Sequence, residues 1–153
     1  MTTIVNWSET SEKYLKSLNG DLRAWCNEVR NISDLQFEVT EGRRSKDRQY
    51  TLWEHGEVAE SSDSPYCRGL AVNLMITIHQ IPCFSPEIYL ELAQCGMFAS
   101  KNTDIGVYWG ATGGIDLRKT PKALEELFLE NQIAHSGDMI TQNQRLQYFE
   151  LVC

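Results

Sequence analysis

The sequence contains few of the residues that build metal sites. Its three histidines are His55, His79 and His135, and its five cysteines include no C-x-x-C pair. No ligand-like spacing links the histidines, so structural or surface histidines are favoured over a rearranged metal site that would also use Cys67. The odd number of cysteines favours free, reduced thiols over a disulfide framework or a zinc knuckle.

Targeting and membrane-spanning segments are also missing from the sequence. Residues 1–7 have neither a basic start nor a long apolar run, so we expect no secretory signal peptide. No apolar run elsewhere in the chain approaches the length of a membrane span. We therefore expect the protein to be made and kept in the cytosol, with no membrane partner.

Repeats, low-complexity tracts and Pro/Gly-rich linkers do not occur either. With 153 residues, of which 42% are hydrophobic, the chain is expected to form a single domain, 1–153, with a proper core. The formal net charge of −7 disfavours long-range attraction to nucleic acid or to an anionic membrane surface. The balance favours protein or small-ligand partners.

Short helices and strands alternate along the chain without the regular spacing of βαβ units. Apolar residues at helical spacing and cap signals predict helices over 21–30, 46–55, 86–95 and 120–130. Strand-forming runs predict strands over 36–40, 70–78, 105–109 and 146–152. In the third helix, Ile88, Leu92 and Cys95 are expected to face the core, and Gly96 to end the helix. The pattern predicts an α+β layer structure.

The most informative phrase is Ser64-Pro-Tyr-Cys-Arg-Gly-Leu-Ala-Val-Asn73. It resembles the Ser-x-His-x-x-Gly-x-Ala-x-Asp signature of the D-Ala-D-Ala carboxypeptidase and L-Ala-D-Glu endopeptidase family, a family of zinc peptidases that includes many phage endolysins. Tyr66 stands in place of the histidine and Asn73 in place of the aspartate. Further phrases resemble family phrases in the same order, which is more specific than any one short motif. They lie at residues 18–22, 39–45, 47–52, 106–110 and 148–151.

The resemblance implies a fold. The family has a small antiparallel sheet flanked by helices, the DD-carboxypeptidase/Hedgehog-like peptidase fold, with the metal held on the sheet. One departure is a long excursion at about 111–147, where the family has a short loop between its Trp-Gly phrase and its last histidine. We expect this insertion either to occlude the cleft or to dock another subunit.

The resemblance also identifies four site positions, and all four are replaced in this chain. The zinc ligands of the family correspond to Tyr66, Asn73 and Tyr148, and its catalytic carboxylate corresponds to Arg145. A phenol with an ordinary pKa of ~10 and a neutral amide are poor zinc ligands beside imidazole and carboxylate. Arginine stays protonated and cannot act as a general base. The sequence therefore predicts a degenerate, non-catalytic member of the family without metal or cofactor.

Arg44, Arg48 and Trp109 are the candidate ligand-binding residues. The family uses the arginine that corresponds to Arg44 near the substrate carboxylate or the oxyanion, so recognition of a peptide terminus can persist. The alternative, favoured by the many surrounding charges, is that Arg44 and Arg48 pair with acids such as Glu41 and Asp47 and hold the fold.

These observations predict a pseudoenzyme that acts by binding. Because phages carry the family abundantly, we expect the protein to be made in the cytoplasm of a bacterial host and incorporated in the virion. There it would contact other virion subunits, as capsid decoration or as a tail or baseplate component. The alternative is an endolysin-like protein that binds peptidoglycan, or that hydrolyses it with a displaced metal site.

Overall fold

The computed structural model of the protein describes residues 7–119, 123–134 and 139–152. Its helices are α1 (Glu9–Lys16), α2 (Gly20–Ile32), α3 (Lys46–Glu54), α4 (Pro86–Thr103), α5 (Leu124–Ala134) and α6 (Met139–Gln147). Its strands are β1 (Phe37–Glu41), β2 (Ala71–Ile78), β3 (Ile81–Pro82), β4 (Val107–Trp109) and β5 (Tyr148–Leu151). Short 3₁₀ helices cover Pro65–Arg68, Gly110–Thr112 and Leu117–Lys119.

The strands form one antiparallel sheet in the order β1-β2-β5-β4, and β3 pairs with the far end of β2. Side chains alternate between the two faces of each strand. One face carries Val72, Leu74 and Phe149, which are fully buried in a hydrophobic core with residues of α2 and α4. The predicted α+β fold, with a small antiparallel sheet flanked by helices, is confirmed.

Helix α4 is longer than predicted, because Gly96 lies inside the helix and does not end it. A Cβ atom at Gly96 would lie 2.8 Å from a ring carbon of Trp25 in α2. The indole N–H of Trp25 donates to the Gly96 carbonyl oxygen at 3.1 Å and to Ser100 Oγ at 2.9 Å. Glycine is thus required for the close packing of α2 on α4. The helix runs on to Thr103 and is capped by Asp104 in the left-handed conformation, with φ of 55°.

The predicted inner face of α4 is confirmed. Leu92 is fully buried, and Ile88 and Cys95 are half-buried and packed against the core. Tyr89 and Ala93 on the same helix are fully buried as well. The Tyr89 phenol accepts a hydrogen bond from the Ile76 backbone N–H at 3.0 Å, and burial raises the pKa of this phenol to about 12. This face therefore contains a polar contact between α4 and β2.

Two helices were absent from the sequence prediction. Helix α1 covers the edge strand β1, and Ser11 Oγ accepts a hydrogen bond from the Val39 backbone N–H at 2.9 Å. That contact satisfies a backbone donor on the edge of the sheet. Helix α6 ends at Gln147, so the last strand begins at Tyr148 and the predicted start at Leu146 is wrong.

The remaining predicted elements differ at their ends. The fourth predicted helix begins at Thr120, but residues 120–122 lie outside the described residues, and α5 begins at Leu124. The third predicted strand begins at Val107 and not at Ile105. Helices α2 and α3 and strands β1 and β2 lie where predicted, within a few residues.

The cysteines that the structure describes are free, as predicted: Cys26, Cys67, Cys83 and Cys95. Cys153 and His135 lie outside the described residues. In the described part of the chain, no helix is both long enough and apolar enough to cross a membrane.

Candidate functional site

A row of polar side chains crosses the face of the sheet that points away from the core. In the antiparallel register, Glu41 of β1 lies opposite Asn73 of β2, and Asn73 lies opposite Tyr148 of β5. Directly opposite residues of antiparallel strands have Cβ atoms about 4.5–5.5 Å apart. Glu150, two residues after Tyr148, lies on the same face. The sheet thus brings together two of the predicted site positions, Asn73 and Tyr148.

Tyr66 reaches this row from the 3₁₀ helix Pro65–Arg68. The Ser64 side chain caps that helix by accepting a hydrogen bond from the Tyr66 backbone N–H at 3.2 Å. Gly69 ends the helix with φ of 71°, and a Cβ atom there would lie 3.1 Å from the Ser17 carbonyl oxygen. The serine and the glycine of the signature therefore shape the backbone, whatever side chain occupies position 66.

The polar side chains of the row form hydrogen bonds with one another. The Tyr66 phenol donates a hydrogen bond to Asn73 Oδ1, and the Tyr148 phenol donates to Glu150 Oε1. The two phenol rings meet edge to face with centroids 5.5 Å apart. We refer to Tyr66, Asn73, Tyr148 and Glu150 as the tyrosine cluster.

Both phenols of the tyrosine cluster stay neutral at physiological pH. Burial is the main cause that raises the pKa of Tyr66, and the charge of Glu41 raises it further. Burial is also the main cause for Tyr148, and the hydrogen bond to Glu150 adds to it. A phenolate that could bind a cation is therefore disfavoured at both positions.

The donor set of the tyrosine cluster does not fit a zinc ion. Zinc sites use imidazole, thiolate and carboxylate ligands, whereas this cluster supplies neutral phenols, an amide and one carboxylate. Among residues 7–119, 123–134 and 139–152, no three His, Cys, Asp or Glu side chains are grouped so that they could hold a metal ion. His55 caps the end of α3, and His79 lies in the turn between β2 and β3.

Arg44 lies beneath Tyr66 and is only 9% exposed. Its Nε donates to Glu41 Oε1 at 2.7 Å, and its Nη1 donates to Gln49 Oε1 at 2.7 Å. The guanidinium lies over the Tyr66 ring, 4.1 Å from the centroid. Pairing with Glu41, the structural role considered for this arginine, is thus observed. Ligand recognition by Arg44 stays a prediction.

Loss of the Glu41 carboxylate should destabilise the fold. The substitution Glu41→Ala leaves the nearly buried Arg44 guanidinium without its acidic partner, so we expect a loss of about 2–3 kcal/mol in the free energy of unfolding, measured in urea. The matched control is Asp63→Ala, which breaks an exposed pair with Arg68 at 3.6 Å and should cost less than about 1 kcal/mol. Equal losses for the two variants would contradict a structural role for the Glu41–Arg44 pair.

A cleft of about 790 Å³ opens beside the tyrosine cluster. Ligand pockets typically have volumes of about 300–1,000 Å³. The polar face of the sheet lines this cleft, together with residues from α3, the loop at 57–65, the stretch 108–114 and α6. The tyrosine cluster therefore borders a space that a small molecule or a peptide can enter.

The other sequence candidates lie at this cleft with different exposure. The Arg48 side chain is 58% exposed, and its Nε lies 3.9 Å from Glu41 Oε1. Trp109 borders the cleft but is fully buried, with its indole N–H donating to the Leu146 carbonyl oxygen at 2.8 Å. A ligand contact by Trp109 stays a prediction. Arg145 is half-buried in the cleft wall, where its Nε donates to the Gly110 carbonyl oxygen at 3.2 Å.

The segment 111–147 supplies part of the core as well as part of the cleft wall. Leu124 and Phe128 are buried in the core, while Gln144 and Arg145 line the cleft. The described residues of the segment thus border the cleft. Occlusion of the cleft and docking of another subunit on the segment both stay predictions.

The sequence prediction did not include Glu150 in the site, and it considered Glu41 only as a partner of Arg44 and Arg48. The signal for Glu150 was present in the terminal phrase, because its position two residues after Tyr148 places it on the same face of a strand. Glu41 stands opposite Asn73 only through the pairing of β1 with β2, which no local pattern specifies.

Comparison with solved structures identifies the fold. The structure is similar to the crystal structure of the Serratia marcescens L-Ala D-Glu endopeptidase ChiX, with a TM-score of 0.68 and 19% sequence identity. The match covers 95% of this chain and 89% of the ChiX chain. The peptidase-like fold that the sequence phrases implied is therefore confirmed. No family model matches the sequence, and no curated protein matches it.

Proposed function

We propose that this protein is a non-catalytic peptidase-like protein that acts by binding, and that it serves as a structural or assembly component of a phage virion. The observation that carries the non-catalytic part is the tyrosine cluster. Its neutral side chains stand at the positions that the resemblance assigns to zinc ligands, and they are hydrogen-bonded within the protein. The virion part is supported by the resemblance to a family that phages carry abundantly.

Hydrolysis by this site would face two chemical obstacles. A zinc ion would have to break the Tyr66–Asn73 hydrogen bond and accept uncharged oxygen ligands, which do not lower the pKa of a bound water as effectively as imidazole and carboxylate sites do. Arg145 would then have to act as the general base, but its guanidinium stays protonated at any working pH. The replacements remove the metal and the base together.

The purified protein should contain far less than one zinc ion per chain and should leave peptidoglycan uncleaved. Elemental analysis measures the zinc, and mass spectrometry of digested cell walls measures the cleavage. An active L-Ala-D-Glu endopeptidase, treated in parallel, is the positive control. Stoichiometric zinc together with cleavage would overturn the proposal and favour an enzyme with a displaced metal site.

The virion assignment has its own test. Mass spectrometry of purified phage particles that encode this chain should detect it in stoichiometric, repeated copies. Particles that lack the protein would refute the assignment, while leaving the non-catalytic nature of the site to the zinc measurement.

Peptidoglycan binding is a second candidate function, favoured by the open cleft beside the tyrosine cluster. A binder without hydrolytic activity should sediment with purified peptidoglycan and leave it intact. If the protein stays in the supernatant at low ionic strength, this candidate is removed.

A further inference from the structure

The acids on the polar face of the sheet already have partners within the protein. Arg44 pairs with Glu41 at 2.7 Å, and Arg48 lies 3.9 Å from the same carboxylate. Glu150 accepts the hydrogen bond of the Tyr148 phenol. Both carboxylates at the base of the cleft, Glu41 and Glu150, therefore have partners in the absence of a ligand.

Arg145 has a different environment. It lies in the last turn of α6, half-buried, and it lines the cleft. Its Nε donates to the Gly110 carbonyl oxygen at 3.2 Å, and its Nη2 lies 3.4 Å from Asn131 Oδ1. Both acceptors are neutral. Within the described ranges, no carboxylate lies close enough to Arg145 to form a salt bridge.

We propose that Arg145 binds the carboxylate of a ligand in this cleft. A partly buried cation whose partners are neutral gains from an anion that replaces its lost hydration. The contacts with Gly110 and Asn131 leave other N–H donors of the guanidinium for a ligand, and the guanidinium fork matches the two oxygens of a carboxylate. The proposal rests on the proposed function, since the cleft must bind its ligand without cleaving it.

The loop at 57–65, which lines the same cleft, indicates the second charged group of the ligand. Glu57, Glu60 and Asp63 belong to this loop, and all three are exposed. Together with the net charge of −7, they disfavour phosphates and polyanions and favour an ammonium group. The ligand class is therefore a short peptide with one free carboxylate, which meets Arg145, and at least one ammonium group near the acidic loop.

The test compares the tripeptide Lys-Ala-Ala with its C-terminal amide by calorimetric titration of the full chain. We expect the free acid to bind at least about tenfold more tightly, the lower end for a hydrogen bond between charged groups. The amide carries one more net positive charge than the free acid, so attraction to the acidic loop alone would make the amide bind more tightly. Tighter binding of the free acid therefore requires a specific contact with the carboxylate. The substitution Arg145→Gln should abolish the preference, since glutamine can still donate to the Gly110 carbonyl but is uncharged.

Further variants separate Arg145 from general effects of charge. Arg145→Lys keeps the charge without the fork and should retain part of the preference. Arg23→Gln on an exposed position of α2, outside the cleft, should leave the preference unchanged. Equal binding of acid and amide, binding of neither, or a preference that survives Arg145→Gln overturns the proposal.

The same titration distinguishes this inference from the proposed function. Mass spectrometry of the peptides after titration should find them intact. Cleaved peptide would overturn the non-catalytic function, whereas the acid and amide affinities would still decide whether Arg145 receives the carboxylate.

Discussion

The variant with Tyr66→His, Asn73→Asp and Tyr148→His should bind one zinc ion per chain, with a dissociation constant of about 1 µM or tighter. The wild-type protein should bind none at that concentration. The expectation follows from the geometry of the tyrosine cluster and from the fold that the chain shares with a peptidase. The substitutions restore the ligand types that the resemblance assigns to these positions.

The backbone already places these three positions within reach of a shared ion. Residues 73 and 148 are direct partners in the antiparallel pairing of β2 and β5, and the Tyr66 side chain extends to Asn73. Glu150 accepts a hydrogen bond from the side chain at position 148. A histidine in that position can donate its second ring N–H to this carboxylate, which is the arrangement that orients histidine ligands in metal sites.

The measurement is competition for zinc with a chromophoric chelator, on protein whose fold is verified by circular dichroism. The matched control combines Tyr66→Phe, Asn73→Ala and Tyr148→Phe, which changes the same positions but supplies no ligand. It should bind no more zinc than the wild type. A folded variant with the three zinc-ligand substitutions that also fails to bind zinc would show that the backbone does not hold these positions in a metal-binding geometry.

The parts of the site that follow from local sequence were predictable. Ser64 and Gly69 have roles that their residue types dictate, a side-chain cap and a left-handed turn. The alternation along β2 placed Val72 and Leu74 on the face opposite Asn73, as observed. The order of the short motifs that resemble the peptidase family then indicated which side chains share a site, although no single motif is specific.

Features that depend on distant contacts were not predictable. Gly96 has the local signal of a helix end, but its environment is determined by Trp25, 71 positions away along the chain. Likewise, Gly110 packs tightly against the junction between α6 and β5, where a Cβ atom at Gly110 would lie 2.5 Å from the Arg145 carbonyl oxygen. The role of Arg44 was open for the same reason, since only the folded chain shows that Glu41 and Gln49 surround it.

The substitution Trp25→Ala should have the largest effect on stability, a loss of about 3–5 kcal/mol in the free energy of unfolding. The Trp25 ring is fully buried, packs against Phe149 with ring centroids 5.2 Å apart and lies against the glycine surface of α4. Truncation of Trp25 leaves a cavity between the sheet and helices α2 and α4. It also removes the indole N–H that Gly96 and Ser100 share.

Thermal unfolding followed by circular dichroism measures this effect, with an expected fall in Tm of roughly 10 °C. The matched control is Trp53→Ala in α3, which removes the same side chain from a position that is 43% exposed and should cost less than about 1 kcal/mol. Similar losses for both variants would show that the packing of α2 on α4 does not dominate the stability of the fold.

Because Phe149 immediately follows Tyr148 on β5, a cavity at Trp25 should also loosen the tyrosine cluster. The near-ultraviolet signal of tyrosine should therefore weaken in Trp25→Ala before the global transition, and not in Trp53→Ala.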